Sequence, residues 1–443
     1  MIEKKPNLIW IFGDQHRGQA LGCSGDPNVN TPNIDRLASE GLNFPNAVAG
    51  TPLCCPFRGS LLTGLYPHLC VPGHEDALHE DQKTVAHAFK DSGYLTTYIG
   101  KWHLDGFRER TGGRAAMHIV PPHRRGGFDE WIGYENNNSQ WDCWVHGGED
   151  GGAFHERLPS YETDALTDLF ITYIKQRGQD PEQPFFGALS VQPPHIPYVA
   201  PPEWMQRHTP GGVTLRANVP NIPRVEETAR QKLAGYYAMI ENLDWNLGRI
   251  RTALEEAEMS HDTHIVFFSD HGAMLGSHGH WGKTTPYVES IRIPFIVGGH
   301  VPRYENFGGK SNQPVNHVDI APTSLGLCGI EPPDWMMGTD YSGLRVKGRD
   351  SRKFPDSAFL QLPSGPGYLD CATHPWRGVT TTDGWKYTVT EGGPWTLHNL
   401  NEDPFELVNG AFSGQYRSEK RQLHDRLSRW IADTDDQFRM PEV

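Results

Sequence analysis

Two acids close apolar runs in this 443-residue chain: Asp14, after Asn7-Leu8-Ile9-Trp10-Ile11-Phe12-Gly13, and Asp270, after His264-Ile265-Val266-Phe267-Phe268-Ser269. Each is followed by a second polar residue, so that Gly13-Asp14-Gln15-His16 is mirrored by Ser269-Asp270-His271-Gly272. Asp14, Gln15 and Asp270 offer hard oxygens and His271 one nitrogen, a donor set that suits a divalent cation such as calcium better than zinc. Either acid alone reads as a turn or a helix cap. At the carboxyl ends of two strands of one open sheet, the pair reads as two sides of a ligand crevice. Between them lies Cys54-Cys55-Pro56-Phe57-Arg58-Gly59-Ser60-Leu61-Leu62-Thr63-Gly64. Taken by itself, this run is a strand-to-helix turn with a buried cysteine and Pro56 in the first helical turn.

The apolar runs set the elements that must position these residues. Residues 7–13, 94–100, 185–191 and 264–269 are near-continuous apolar, aromatic or β-branched stretches, as parallel strands covered on both faces require. Helices alternate with them. One begins at Thr31-Pro32, with Thr31 as cap and Pro32 in the first turn. Others are expected at 60–65, at 85–90 up to the stop at Gly93, and at 226–258, where Leu233, Tyr236, Tyr237, Ile240, Leu243 and Leu247 recur at helical spacing. A short strand is expected at 43–48. The stretch 107–160 breaks the alternation as a long loop without periodicity, a feature usually functional inside a compact domain. Beyond about residue 350 the texture changes to two strands around Asp383-Gly384, a strand at 395–400 and a closing helix at 416–433. The expected fold class is therefore α/β, a large mixed and mostly parallel sheet between helices over residues 1–350, followed by a small α+β subdomain over 351–443.

Composition narrows the partners. A formal charge of −14 excludes a general polyanion-binding surface, and with it nucleic acid, so any anion site is a local concentration of cations. No apolar run approaches the roughly 20 residues that cross a bilayer, and the apolar run at 7–12 is too short for the h-region of a secretory leader. A cytoplasmic place is expected for the chain as it stands, and a periplasmic or secreted one if a leader has been removed. The seven cysteines are odd in number, scattered and without C-x-x-C spacing, which argues against a disulfide framework and against structural zinc.

The motifs, read in order, resemble those of a type I sulfatase of the alkaline phosphatase-like superfamily. Cys54 to Gly64 fits the pattern C-x-P-x-R-x-x-L-x-T-G, and it is followed by Gly93-Tyr94-x-Thr96-x-x-x-Gly100-Lys101-Trp102-His103, Pro193-Pro194-His195-x-Pro197, Asp270-His271-Gly272, Gly279-x-x-Gly282-Lys283 and Asn399-Leu400-Asn401-Glu402-Asp403-Pro404-Phe405-Glu406. The resemblance covers nearly the whole chain. It implies that a formylglycine-generating maturation enzyme oxidises Cys54, and that one divalent cation, Ca2+ before Mg2+ or Mn2+, is held by Asp14, Gln15, Asp270, His271 and an oxygen of the residue made from Cys54. It further implies that Arg58 fixes the aldehyde hydrate, that Lys101 and Lys283 clamp the sulfuryl oxygens, that His103 is the base that releases sulfate, and that His195 is the acid for the leaving alcohol. Gln15, His271 and Phe57 depart from the commonest family pattern, which has Asp, Asn and a small residue at those places.

Substrate choice falls to loops the motifs do not fix. Arg124, Arg125, Asn137, Trp141 and Trp144 in the 107–160 stretch, and His374, Trp376 and Arg377 near the C-terminus, combine hydrogen-bond forks with flat aromatic faces. That mixture suits a sulfated saccharide. The expected activity is sulfate-ester hydrolysis, with a phosphonate monoester or phosphate diester hydrolase and a non-catalytic sulfated-glycan binder as the alternatives.

Overall fold

The computed structural model describes residues 4–299, 301, 308–349, 354–367 and 371–443. Its larger sheet comprises β1 (Asn7–Gly13), β2 (Leu42–Asn43), β3 (Leu95–Lys101), β4 (Glu130–Tyr134), β5 (Trp144–Gly147), β6 (Phe154–Arg157), β7 (Phe185–Ser190), β8 (Thr263–Ser269), β9 (Phe295–Gly298) and β10 (Gly309–Lys310), in the spatial order β10-β2-β9-β8-β1-β7-β3-β4-β5-β6. The strands β8, β1, β7, β3 and β4 run parallel to one another. Along β1 every residue is buried, with Leu8, Trp10 and Phe12 in one apolar cluster and Ile9 and Ile11 in another. Because side chains alternate across a strand, both faces of the sheet must be covered, and helices cover both.

On the first face lie α2 (Cys54–Thr63), through Phe57, Leu61 and Leu62, and α3 (Val85–Asp91), through Val85 and Phe89; α1 (Pro32–Glu40) lies on the other. The second face also carries α4 (Glu162–Arg177), through Leu166 and Phe170, and α5 (Pro223–Glu256), through Leu243, Leu247 and Ile250. Each such fully buried side chain contributes roughly 1.5–3 kcal/mol over leaving it in water. Gly100 lets two strand ends meet: a Cβ there would lie 1.9 Å from the Ser190 carbonyl oxygen, and its φ of +113° is one that side chains rarely adopt.

Three local expectations are corrected. The 107–160 stretch is not one loop, because β4 adds in parallel to β3 and β5 and β6 extend the same edge antiparallel. These strands span four or five residues each, too few for periodicity to show. At 43–48 only Leu42–Asn43 forms a strand, since Pro45 offers no N–H to a ladder, and Val48 makes isolated bridges instead. Thr31 precedes α1 but does not cap it: its hydroxyl donates to Asp35 Oδ1 at 2.9 Å and accepts from the Gly22 amide at 2.9 Å.

The second sheet is antiparallel, with β11 (Ser357–Leu362), β12 (Trp376–Thr381), β13 (Trp385–Thr390) and β14 (Gly393–Asn399) in that order, and α6 (Arg417–Asp433) closes it through Leu423, Leu427 and Ile431. The expected division at 350/351 falls in 350–353, outside the described residues. Apolar contacts join the two sheets: Leu360, Leu362 and Trp376 pack with Val48, Leu53 and Ile291. Among the described residues no helix is long and apolar enough to cross a membrane.

Candidate active site

The neighbouring strands β8, β1, β7 and β3 end, at their carboxyl edge, in Asp270-His271, Asp14-Gln15, the loop to His195 and Lys101-Trp102-His103. The order of strands in space thus gathers segments that are remote in the chain. Helix α2 enters the same edge with Cys54 at its first residue, because Leu53 is still extended (φ −153°) and the turn into the helix begins beyond it. Every residue of α2 is buried, and the helix stops at Gly64, whose φ of +69° lets its N–H return to the Ser60 carbonyl.

Cys54 Sγ lies 3.6 Å from Asp14 Oδ1, 3.2 Å from His271 Nε2 and 2.8 Å from Lys283 Nζ. His271 Nδ1 donates to the Gly272 carbonyl at 2.9 Å, which leaves the Nε2 lone pair of the neutral ring facing Asp14 Oδ1 at 3.7 Å and Asp270 Oδ1 at 3.6 Å. Arg58, one turn along α2, donates from Nη1 to the Lys101 carbonyl (2.8 Å) and Ser190 Oγ (2.9 Å), while Nη2 stands 3.5 Å from both Asp14 Oδ2 and Asp270 Oδ2. Lys101 Nζ reaches Asp14 Oδ2 at 2.6 Å. The Gln15 amide donates to Asp270 Oδ1 at 3.0 Å, and the left-handed backbone of Gln15 (φ +69°) turns the chain at the strand end.

The charges explain the protonation states. Burial works against the Asp14 carboxylate, but the adjoining cations, Lys101 first, outweigh it and hold its pKa well below the usual carboxylate range. Asp270 moves the other way, pushed up by burial and then by the Asp14 charge. Burial, then Asp14, raises the Cys54 thiol to about 11, so the unmodified side chain carries its proton at neutral pH and is a poor nucleophile. Burial opposes the Lys283 ammonium, yet Cys54, Asp14 and Asp270 outweigh that and raise its pKa. His271 and His103 are held neutral by burial and then by a neighbouring lysine, Lys283 and Lys101 respectively.

Asp14, Cys54, Asp270 and His271 present ligand atoms all within 4.8 Å of one another. Asp270 Oδ2 is buried without a hydrogen-bond partner, and two carboxylates crowded at low dielectric call for a cation between them. Two carboxylates and an imidazole with its lone pair turned inward fit a hard divalent ion, with the Cys54 sulfur standing where an oxygen would complete the set.

Two further histidines flank this centre. His103 is 3% exposed and left-handed (φ +58°). The Glu135 carboxylate holds the loop behind it, accepting from the amides of Leu104 (3.1 Å), Asp105 (3.0 Å) and Phe107 (3.4 Å). His195 is half-buried; its Nδ1 donates to the Ile196 carbonyl at 2.8 Å, and the His195 carbonyl accepts from Gln140 Nε2 at 3.0 Å. Burial lowers its pKa, against the pull of Asp14. Ser190, Glu135 and Gln140 escaped the sequence reading. The first two stand at or just past the end of a strand, a signal that would have found them, whereas Gln140 gives none.

The expected substrate contacts divide. Trp141 is 44% exposed, beside Gln140 and edge-on to Tyr161, and His374 is exposed in the segment leading to β12. The others have partners within the protein, and of these Arg125, Asn137, Trp376 and Arg377 are buried away from any substrate. Arg124 pairs with Asp105, and Arg125 is buried, donating to the Val120 (3.1 Å) and Gly148 (2.8 Å) carbonyls. Asn137 is buried and Trp144 Nε1 donates to Asp142 Oδ1 at 3.2 Å. Trp376 is wholly buried and donates from Nε1 to the Thr284 carbonyl at 2.9 Å. Arg377, also buried, forms a two-pronged ion pair with Asp436.

A family model for sulfatases matches residues 6–330, and a second, for the C-terminal part of N-sulphoglucosamine sulphohydrolase, matches residues 276–433. The chain is 33% identical over 453 residues to an ulvan-active sulfatase of Formosa agariphila, covering 98% of this chain and 83% of that protein. It is 25% identical over 506 residues to an N-acetylglucosamine-6-O-sulfatase of Bacteroides thetaiotaomicron, covering 96% and 86%. The crystal structure of YidJ from Bacteroides fragilis, assigned to the sulfatases, superposes with a TM-score of 0.86 at 28% identity over 99% of this chain and 98% of that one. Family model, relatives and fold agree over almost the whole chain, and the protein belongs with them to the type I sulfatases of the alkaline phosphatase-like superfamily, enzymes that hydrolyse sulfuric esters.

Proposed function

We propose that the protein removes sulfate from a sulfated saccharide, with a formylglycine made from Cys54 as nucleophile and one hard divalent cation, Ca2+ first, held by Asp14, Gln15, Asp270 and His271. The observation that carries this reading is the Cys54 side chain itself, enclosed by a lysine at 2.8 Å, an inward-turned imidazole at 3.2 Å and a carboxylate at 3.6 Å, yet a protonated thiol if left unmodified. A formylglycine hydrate at residue 54 would supply a hydroxyl nucleophile, and a cation held by Asp14, Gln15, Asp270 and His271 would acidify it and offset charge on the ester oxygens.

The chain's own groups do the rest. Lys101 and Arg58 neutralise Asp14 and Asp270, and Lys283, its Nζ 2.8 Å from Cys54 Sγ, meets the sulfuryl oxygens. His103, neutral through burial, takes the proton from the nucleophile's second hydroxyl when sulfate leaves. His195 gives a proton to the departing sugar oxygen. The negative charge of the arriving ester raises the His195 proton affinity, which burial first, and then Lys101 and Lys283, keep low. Trp141, exposed beside the residue that holds His195, offers a flat face to a sugar ring. The relative named for N-acetylglucosamine 6-O-sulfate supports a saccharide as well.

The test is production with a maturation enzyme, peptide mass spectrometry over residues 50–58, and sulfate release from a panel of sulfated saccharides beside an aryl sulfate and a phosphonate monoester. Conversion of Cys54 that parallels sulfate release from a saccharide is the expected result. Full activity with unconverted Cys54 refutes the nucleophile, and faster turnover of the phosphonate refutes the substrate class.

A further inference from the structure

One residue along α2 from the nucleophile, Cys55 meets different partners. Its Sγ, a ring nitrogen of His74 and a ring nitrogen of His103 all lie within 4.8 Å of one another. Cys55 Sγ is 3.9 Å from His74 Nδ1, and the two imidazoles meet edge to face, 5.4 Å between centroids and 89° between planes. His103 Nδ1 is buried and has no hydrogen-bond partner. The Glu75 amide points at Cys55 Sγ from 3.3 Å, and Cys55 occupies the first turn of a ten-residue helix, while burial and then Cys54 hold the thiol protonated until a cation displaces the proton.

We propose that Cys55, His74 and His103 form a second cation site, for a thiophilic ion such as Zn2+, whose occupation switches the enzyme off. A Zn–S bond of about 2.3 Å and Zn–N bonds of about 2.0–2.1 Å at tetrahedral angles set the donors roughly 3.6 Å apart, so the three side chains need only small rotations. One thiolate and two imidazoles select a borderline or soft metal, whereas the carboxylates of the neighbouring centre select a hard one. Two adjacent residues of one helix thereby serve two metals of different chemistry. On binding, the Cys55 S–H bond is replaced by S–Zn and the proton leaves to water, with no change of oxidation state. Cys55 and His103 are fully enclosed, while the half-buried His74 stands at the outer side and gives the ion its way in. The spacing of 19 and then 29 residues along the chain follows no zinc motif, which is why the sequence argued against zinc.

The inhibitory consequence rests on the proposed role of His103 in proton transfer, whereas the site does not. The experiment therefore reads both. Calcium-loaded full-length protein is titrated with Co2+ and watched for the thiolate-to-cobalt charge-transfer band, then with Zn2+ while sulfate-ester hydrolysis is followed. One equivalent is expected to give the band in wild type and in Cys54→Ser. Cys55→Ser is expected to lose it, and His74→Gln to weaken binding by roughly tenfold or more. Zinc inhibition of His74→Gln is expected to need a correspondingly higher concentration. His74→Gln lies on a surface loop and keeps the readout available if Cys55→Ser fails to fold. A band that follows Cys54 in place of Cys55, or wild-type affinity in His74→Gln, overturns the site. A band with the expected variant pattern but no zinc inhibition, in a protein that does hydrolyse sulfate esters, overturns the switch. A protein with the band and without sulfatase activity keeps the site and refutes the functional reading.

Discussion

Trp376→Phe removes one N–H from behind the pocket and leaves the aromatic bulk in place. In the native protein that N–H donates to the Thr284 carbonyl at 2.9 Å, while Thr284 Oγ1 accepts from the Ala372 amide at 2.8 Å. Both contacts come from the C-terminal segment, and they hold Thr284, a β-branched residue, at a φ of +70°. Such a conformation costs on the order of 1–3 kcal/mol and persists only where its surroundings enforce it. The adjoining residue is Lys283, with Nζ 2.8 Å from Cys54 Sγ. Without the indole N–H a buried carbonyl loses its donor, which costs about 1–3 kcal/mol, and the strained turn has one restraint fewer. A displacement of Lys283 near 1 Å is worth about 100-fold in rate. The expected result is a fall in unfolding free energy of about 1–3 kcal/mol in urea. With it goes a roughly 10–100-fold loss in kcat toward a small aryl sulfate. A direct sugar contact by Trp376 predicts the opposite pattern, a higher KM for saccharides and an unchanged aryl sulfate rate. Loss of stability with wild-type kcat would refute the positioning argument outright.

Arg377→Met strands Asp436 in a buried place, so it is expected to cost about 3–5 kcal/mol in urea unfolding while the folded fraction keeps its wild-type kcat. Asp270, its pKa raised by burial and by Asp14, contributes stability at low pH that is lost as pH climbs from about 4 toward the raised value. In chelator Asp270→Asn should therefore gain thermal stability over wild type from pH 5 to pH 8. On adding Ca2+ wild type should gain about 2.7 kcal/mol at a hundredfold excess over Kd and the variant should not; equal calcium shifts would remove Asp270 from the metal set. Cys54 is 1% exposed within a helix that is buried throughout, so a maturation enzyme is expected to convert it in a chain that has not yet folded and to leave refolded protein unmodified, as mass spectrometry of residues 50–58 would report.

What could be read from the chain and what could not divides along a physical line. Asp14, Lys101 and Asp270 were legible because each directly ends or follows an apolar run and adjoining parallel strands bring their carboxyl ends to one edge, and the Cys54 helix because its motif resembles that of the sulfatases. Trp376 and Arg377 were not. Adjacent residues of a strand face opposite ways, and here both ways lead inward: Trp376 to Thr284, 92 residues back, and Arg377 to Asp436, 59 residues on. An arginine beside a tryptophan has the same appearance in a sugar cleft as in a buried ion pair, and only the distant partner decides. The short strands of the 107–160 stretch fail for a similar reason, since each is defined by its neighbour more than by its own pattern.

Phe57 shows how the same ambiguity touches a motif. It departs from the small residue usual before the arginine, yet on α2 it packs into the apolar core. Its ring is wholly buried and stacks on His317, 4.9 Å between centroids at 23°. The same His317 ring accepts from the Gly50 amide at 2.8 Å through Nδ1 and thereby ties down the segment that leads into Cys54. The large side chain at this position therefore belongs to the packing that fixes where α2 begins, while Cys54 and Arg58 keep the chemistry. A residue inside a catalytic motif can answer to the core, and the partners its side chain meets settle which role it has.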